Sequence, residues 1–402
     1  MVDTLKNTCS VDLVGLKKLE NRCCPLPDDV LAKIISFLPT KAFFKLLPVC
    51  KTFRQLSLDS HFLFLQSYYN NTISGFIVHN DNILKSIILI DPYAGVSRSS
   101  LEFIVSMKSI ILGSAGGLIF VLNQKYERSD ATTTGICVYN PARGTRCWLP
   151  APPGECTPGG IAVRFMNDED GVMKDYKLVY VTQTWGLSIS HHCRVYDSVA
   201  RAWTMDKELD LGHQQLDLEE PVVCGDAVFW LSSDLKSYAR IGPYVVTFDV
   251  REECTQVIPL PSETVIDFFA IFGIAKWEGK SLCLIHYSSF SGVIGLWPLK
   301  KKASDGALEW VKMHEISLAQ MGFTGEPCFV NYVKLIEVAT TTLLVFITYD
   351  SMYSYNMKDG GALEWQDCWG FPYSHKFIPY SNTLRPCGDR EELLETILRN
   401  CF

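Results

Sequence analysis

No stretch of this 402-residue chain is both long and apolar enough to cross a bilayer. The longest apolar run, Ile266 to Ala275, contains Asp267 and Gly273 and falls far short of the roughly twenty residues a spanning helix needs. Residues 1–22 are polar and charged and lack the apolar centre of a secretory leader. A soluble, intracellular protein is expected, in the nucleus, the cytoplasm or both. No basic cluster stands out either. The net charge is −7, the longest basic run is Lys300-Lys301-Lys302, and nucleic-acid binding asks for a concentrated basic patch. Neither a membrane nor a nucleic acid is expected as a direct partner.

The signatures of catalysis and metal binding are also missing. The fifteen cysteines are scattered and include no C-x-x-C pair, so reduced, largely buried thiols are expected and no disulfide framework. There is no G-x-S-x-G elbow. The glycine-rich Gly113–Gly117 is not followed by a helix-forming stretch, which a phosphate loop requires. His191-His192-Cys193 is the densest ligand-like group, but alternation along a strand prevents three adjacent side chains from facing one ion. The acidic run Asn167–Asp170 reads as a solvated turn. No catalytic residue, metal site or cofactor is expected.

What the chain does have is 48% hydrophobic residues in two kinds of pattern. Residues 26–58 read as three short helices with proline-marked corners. Pro25 and Pro27 precede the first, where a missing N–H costs little, and Asp28 and Asp29 place negative charge in its first turn. Val30, Leu31, Ile34, Ile35 and Leu38 form its apolar face. Pro39 ends it, Thr40 is placed to cap the next, and Ala42, Phe43, Phe44, Leu46 and Leu47 follow. After Pro48 a third helix presents Val49, Cys50, Phe53 and Leu56. A unit this small cannot bury so much apolar surface in itself. A further helix is expected from Asp59, leading into a linker that ends near residue 71.

Beyond Ser74 the period changes to that of short strands between Gly, Pro, Asp and Asn. An aromatic residue, usually followed by Asn or Asp and then a Trp, recurs: Tyr139-Asn140 with Trp148, Tyr196-Asp197 with Trp203, Phe248-Asp249 with Val257, Trp297 with Trp310, and Tyr355-Asn356 with Trp365. A repeat of about fifty to sixty residues with four strands marks a kelch-like β-propeller, here of about six blades. Each blade has two faces that only its neighbours can cover. Asn or Asp suits the turn, and the Trp is expected to wedge between blades. The segment with Trp369, Phe377, Pro379-Tyr380 and Leu384 is expected to close the ring. The expected domains are thus a flexible arm (1–22), the helical module (23–71), the propeller (72–388) and a terminal helix (389–402), an α + β multidomain chain.

Leu26-Pro27, Asp29-Val30-Leu31, Ile34, Leu38-Pro39 and Val49-Cys50-Lys51 with Arg54 and Leu56 resemble an F-box, the module that binds a Skp-type adaptor in a cullin–RING ubiquitin ligase. Two positions depart from that pattern: Phe53 stands where the family usually has Trp, and Pro48 where a non-proline residue is commoner. Residues 110–370 resemble the F-box-associated repeats of plant F-box proteins, through Ile136–Pro141 with Trp148-Leu149-Pro150, Asp175–Val179, and Val195–Asp197 with Trp203. The resemblance implies the substrate-recognition subunit of such a ligase, with no covalent step of its own. The adaptor contacts it implies are Leu26, Pro27, Val30, Leu31, Ile34, Leu38, Phe43, Phe44, Val49, Cys50, Phe53 and Leu56. A blade-edge loop carrying Trp185, His191 and His192 is the candidate contact with an unnamed target protein; further rim candidates are 232–242 and 286–295. Two alternatives are a non-degradative bridging partner of a transcription factor and a propeller enzyme, the latter needing titratable groups that converge in the central channel.

Overall fold

The computed structural model describes residues 26–80, 83–89, 109–123, 135–154, 157–167, 173–185, 189–210, 215–232, 243–264, 270–304, 306–323, 330, 332–338, 341–348, 351–358, 360, 364–367, 376–388 and 390–393. The arm at 1–22, Asp168–Asp170, the rim stretch 233–242 and Trp369 lie outside them.

Four helices come first: α1 (Asp28–Ser36), α2 (Thr40–Leu46), α3 (Lys51–Leu56) and α4 (Ser60–Tyr69). Pro27 and Pro39 stand immediately before α1 and α2. Asp59 caps α4, its carboxylate accepting the Phe62 N–H at 2.7 Å, a bond worth about 1 kcal/mol. Thr40 does not cap α2. It is the first helical residue, and its hydroxyl donates instead to the Asn382 carbonyl at 2.8 Å. Ile35, Phe43, Phe62, Leu63 and Leu384 form the module's core.

The remaining described elements are strands, apart from one 3-10 turn at Ser262–Thr264. The first blade comprises β1 (Gly75–Asn80) and β2 (Ile83–Leu89). The second comprises β3 (Ser109–Ala115), β4 (Leu118–Asn123), β5 (Gly135–Asn140) and β6 (Thr145–Trp148). The third holds β7 (Gly159–Asn167), β8 (Met173–Trp185), β9 (Ile189–Asp197) and β10 (Ala202–Leu209). The fourth holds β11 (Val222–Cys224), β12 (Ala227–Leu231), β13 (Tyr244–Asp249) and β14 (Cys254–Pro259). The fifth has β15 (Ile271–Trp277), β16 (Ser281–Ser288), β17 (Val293–Lys301), β18 (Leu308–Trp310) and β19 (His314–Ser317). The sixth has β20 (Tyr332–Val338), β21 (Thr341–Ile347), β22 (Ser351–Asn356) and β23 (Glu364–Asp367). β24 (Lys376–Tyr380) returns to pair with β1, and β25 (Glu392–Leu393) pairs with β6.

Among the described residues, five sheets therefore have four or more strands, and the first has three, ordered β24-β1-β2. The C-terminal β24 is its inner strand, beside β3, and closes the ring as expected. Where a terminal helix was expected from 389, Glu392-Leu393 forms a strand. Arg146 and Arg143 hold its neighbourhood through Glu392 and Glu391, and residues 394–402 lie outside the described set.

Six apolar clusters each span two neighbouring sheets and so complete the circle. A fully buried large apolar side chain contributes about 1.5–3 kcal/mol, against about 1 kcal/mol for a hydrogen bond. Burial therefore holds the blades together. The inner strands approach closely: a Cβ on Gly160 of β7 would overlap the Leu218 backbone of the fourth blade's entry.

The repeated Asn or Asp does the expected work. Asn140 accepts from Ala142 and Arg143 N–H, Asp197 from Val199 and Ala200, Asp249 from Arg251 and Glu252, and Asn356 from Lys358. Four residues beyond each one the chain turns left-handed, at Gly144 (φ 64°), Arg201 (53°), Glu253 (52°) and Gly360 (58°). Two of the Trp residues wedge between blades with a hydrogen bond across the seam. Trp203 Nε1 donates to the Pro150 carbonyl at 2.9 Å, and Trp310 Nε1 to that of Pro259 at 2.8 Å.

Candidate functional site

The apolar face of α1 is wider than one partner can cover, and it splits into two stripes. Leu31, Ile35 and Leu38 turn inward. Val30, Ile34 and Phe37, at i, i+4 and i+7, turn outward, with Ile34 50% and Phe37 54% exposed. Leu26, Pro27, Phe44, Val49 and Cys50 are exposed too, Val49 by 66%. Large apolar side chains grouped in this way on one small module form a surface suited to a protein partner.

The twelve sequence-derived adaptor residues thus fall into three groups. Leu26, Pro27, Val30, Ile34, Phe44, Val49 and Cys50 are open to solvent. Leu31, Leu38, Phe53 and Leu56 are half-buried in the module's own cluster. Phe43 is completely buried, its ring 5.0 Å from that of Phe62, so it packs at home. Phe37 belongs with the open group and was not singled out from the sequence, although its spacing from Ile34 places it on the same stripe. Its ring lies 4.2 Å from Tyr69, over which Lys33 also sits.

The module rests on one end of the propeller. Thr383 donates to the Gly116 carbonyl in the β3–β4 turn at 2.7 Å, and Asn140, which starts the β5–β6 turn, donates to the carbonyls of Thr383 and Arg385 at 3.0 and 2.7 Å. Strands alternate in direction within each sheet, so the C-terminal end of β8 and the β16–β17 loop lie at the opposite end. That far end carries the sequence-derived candidates Trp185 and 286–295, with Phe290 79% exposed. It also carries the Asp217–Glu220 segment, where Glu220 pairs with Lys334 at 2.8 Å across to the sixth blade. Burial, reinforced by Glu220 and Glu219, pushes the Asp217 carboxyl up to about 7.

His191 and His192 are not on a loop. The β8–β9 hairpin runs longer than its sequence suggested, so both lie in β9, where alternation separates them. His191 is fully buried, neither ring nitrogen has a hydrogen-bond partner among the described residues, and burial holds it below the usual histidine range. It is therefore neutral at pH 7 and inaccessible to a target. His192 faces out and bonds the Asp206 carboxylate, to which Arg194 Nε also lies within 3.2 Å. Trp185 ends β8. Among the described residues no three His, Cys, Asp or Glu side chains form a metal-holding group.

Comparison with known proteins agrees with this arrangement. An F-box domain model matches residues 24–65, and a model described as an F-box associated beta propeller domain matches 61–355. The chain is 26% identical to the Arabidopsis thaliana F-box protein At5g49610, over 73% of this chain and 79% of that one. It is 24% identical to the provisionally named F-box/kelch-repeat protein At1g15680 of the same plant, over 74% and 73%. A solved prolyl endopeptidase gives a TM-score of 0.33 at 10% identity, over 77% of this chain and 44% of that one, too slight a likeness to carry an argument. With its helical module ahead of the ring, the chain belongs to the F-box associated beta propeller domain family.

Proposed function

We propose that the chain is the substrate-recognition subunit of a Skp–cullin–F-box ubiquitin ligase. The helical module binds a Skp-type adaptor and, through it, a cullin–RING scaffold. The propeller holds a target protein, and ubiquitin reaches target lysines because they are held close. The chain itself makes and breaks no covalent bond. It works in the nucleus, the cytoplasm or both.

One observation carries this reading: Leu26, Val30, Ile34, Phe44 and Val49 remain exposed on a module that already has a core of its own. Leaving such side chains in water costs about 1.5–3 kcal/mol each relative to full burial. An adaptor that covers them recovers that energy. The far end of the propeller points away from the adaptor side and offers Phe290 and the Asp217–Glu220 segment to a target. The test is adaptor capture by the full chain, comparing wild type with Leu26→Ala/Pro27→Ala. Two lost anchors should cost several kcal/mol and abolish capture without unfolding the chain. Failure of the wild type to capture the adaptor would overturn the reading.

A further inference from the structure

Seven consecutive residues after β24, Ser381 to Cys387, form no regular element, yet six of them are nearly inaccessible. Thr383, Leu384 and Arg385 are at most 1% exposed. A loop seldom runs through a protein interior, because its backbone groups need partners there. This strap finds its partners on two bodies at once.

On the helical side, Leu384 is part of the module's core with Ile35, Phe43, Phe62 and Leu63. The Leu384 N–H donates to Gln66 Oε1 at 3.0 Å, while Gln66 Nε2 donates to the Leu38 carbonyl at 3.1 Å. The Thr40 hydroxyl donates to the Asn382 carbonyl. On the propeller side, Thr383 donates to Gly116 and Asn140 donates to both Thr383 and Arg385. The Cys387 thiol meets Thr145. The Arg385 guanidinium spans both bodies, 4.0 Å from the Phe165 ring of β7 and 5.9 Å from the Phe64 ring of α4.

The direct covalent link between the two bodies, Asn70 to Ser74, is short, and a single short tether leaves a module able to swivel. The strap supplies a second attachment and pins the tether itself, through Asn382 N–H to Ser74 Oγ at 3.1 Å. We propose that Ser381–Cys387 is a joint that fixes the angle between the exposed face of α1 and the propeller, with Leu384 and Arg385 as its positioning residues. The propeller's far end is thereby held at a constant height and bearing from whatever binds the helices. The consequence for ubiquitin transfer rests on the adaptor-binding reading; the joint does not.

The test measures the distance distribution between spin labels at Lys45 on α2 and Ser291 on the far rim, carried on keto-bearing residues because the chain has fifteen cysteines. Full-length wild type is compared with Leu384→Ala/Arg385→Ala and with Gln66→Leu, which loosens the strap from the helical side without touching a blade. Adaptor capture by all three is measured alongside. The joint predicts one narrow distance in wild type and a severalfold broader distribution in both variants, with adaptor capture retained. An unchanged narrow distribution in Gln66→Leu and in a folded Leu384→Ala/Arg385→Ala would overturn it, as would a broad distribution in wild type. Loss of capture by the wild type would instead count against the ligase reading and leave the joint standing.

Discussion

Gln66 and Leu384 lie 318 residues apart and meet in one buried hydrogen bond of 3.0 Å, from the Leu384 N–H to the Gln66 side-chain oxygen. The other end of the same amide reaches the Leu38 carbonyl. One fully buried side chain thus ties α4 to the corner between α1 and α2 and to the strap.

Gln66→Leu keeps the volume and removes these two bonds and a third, from Gln66 Nε2 to Thr40 Oγ1 at 3.3 Å, leaving the Leu384 N–H and the Leu38 carbonyl without that partner. A buried group stripped of its partner costs about 1–3 kcal/mol. Urea unfolding should show a loss of that size. A change within error of zero would mean that the side chain is dispensable to the joint.

Arg201 and Glu253 occupy the left-handed position that Gly144 and Gly360 fill in sister repeats. An ordinary residue pays about 1–2 kcal/mol there, and glycine gives back about 0.5–1 kcal/mol in chain entropy. Arg201→Gly and Glu253→Gly should each stabilise the fold by up to about 1 kcal/mol. The two turns lie on different blades, so the gains should add. Thermal unfolding of the single and double variants checks both statements.

The indole N–H of Trp203 crosses a blade seam to Pro150, while its ring packs beside Tyr196 at 5.5 Å. Trp203→Phe keeps an aromatic ring and deletes the donor, so a loss of about 0.5–1.5 kcal/mol is expected. Trp310→Phe should behave alike at the seam to Pro259. Trp203→Ala, which also empties the seam, should cost several kcal/mol.

Asp217 gives a pH dependence. Its carboxyl is raised from an ordinary 3.8 to about 7, by burial first and then by Glu220 and Glu219. The folded chain therefore holds this proton more tightly than the unfolded one. The stability this proton contributes is fully present below pH 4 and is lost as pH rises through about 7. Asp217→Asn keeps the acceptor for the Glu219 N–H and cannot ionise. It should match wild type near pH 4 and exceed it at pH 8 by about 1–2 kcal/mol, the solvent-screened part of the shift. Parallel stability curves for the two proteins would refute the assignment.

Much of this fold is written in local patterns. The proline corners, the Asn and Asp turns and the recurring Trp are each signalled by a few adjacent residues, and the helices and blades follow them. The inward and outward halves of α1 were harder to separate, because Val30, Leu31, Ile34 and Ile35 are equally apolar and only the tertiary contacts decide which stripe is covered. His191-His192 misled for a different reason: their position between expected strands suggested a loop, while β8 and β9 extend to leave only residues 186–188 between them. The strap left little trace. Its residues are irregular in conformation, and their burial depends on Gln66, Gly116 and Asn140, which are hundreds of positions away. The far-end candidates stay diffuse because rim loops answer to a partner rather than to the core.

The most direct measurement is a calorimetric titration of a Skp-type adaptor into the full chain, into Ile34→Asp and into Phe290→Asp. Ile34 is half exposed on α1 and Phe290 sits on the opposite end of the propeller, so neither change should unfold the protein. The account predicts saturable binding by wild type and Phe290→Asp, and a loss of at least about a hundredfold in affinity for Ile34→Asp, the scale of one buried hot spot. Equal binding by all three proteins, or none by the wild type, would contradict it.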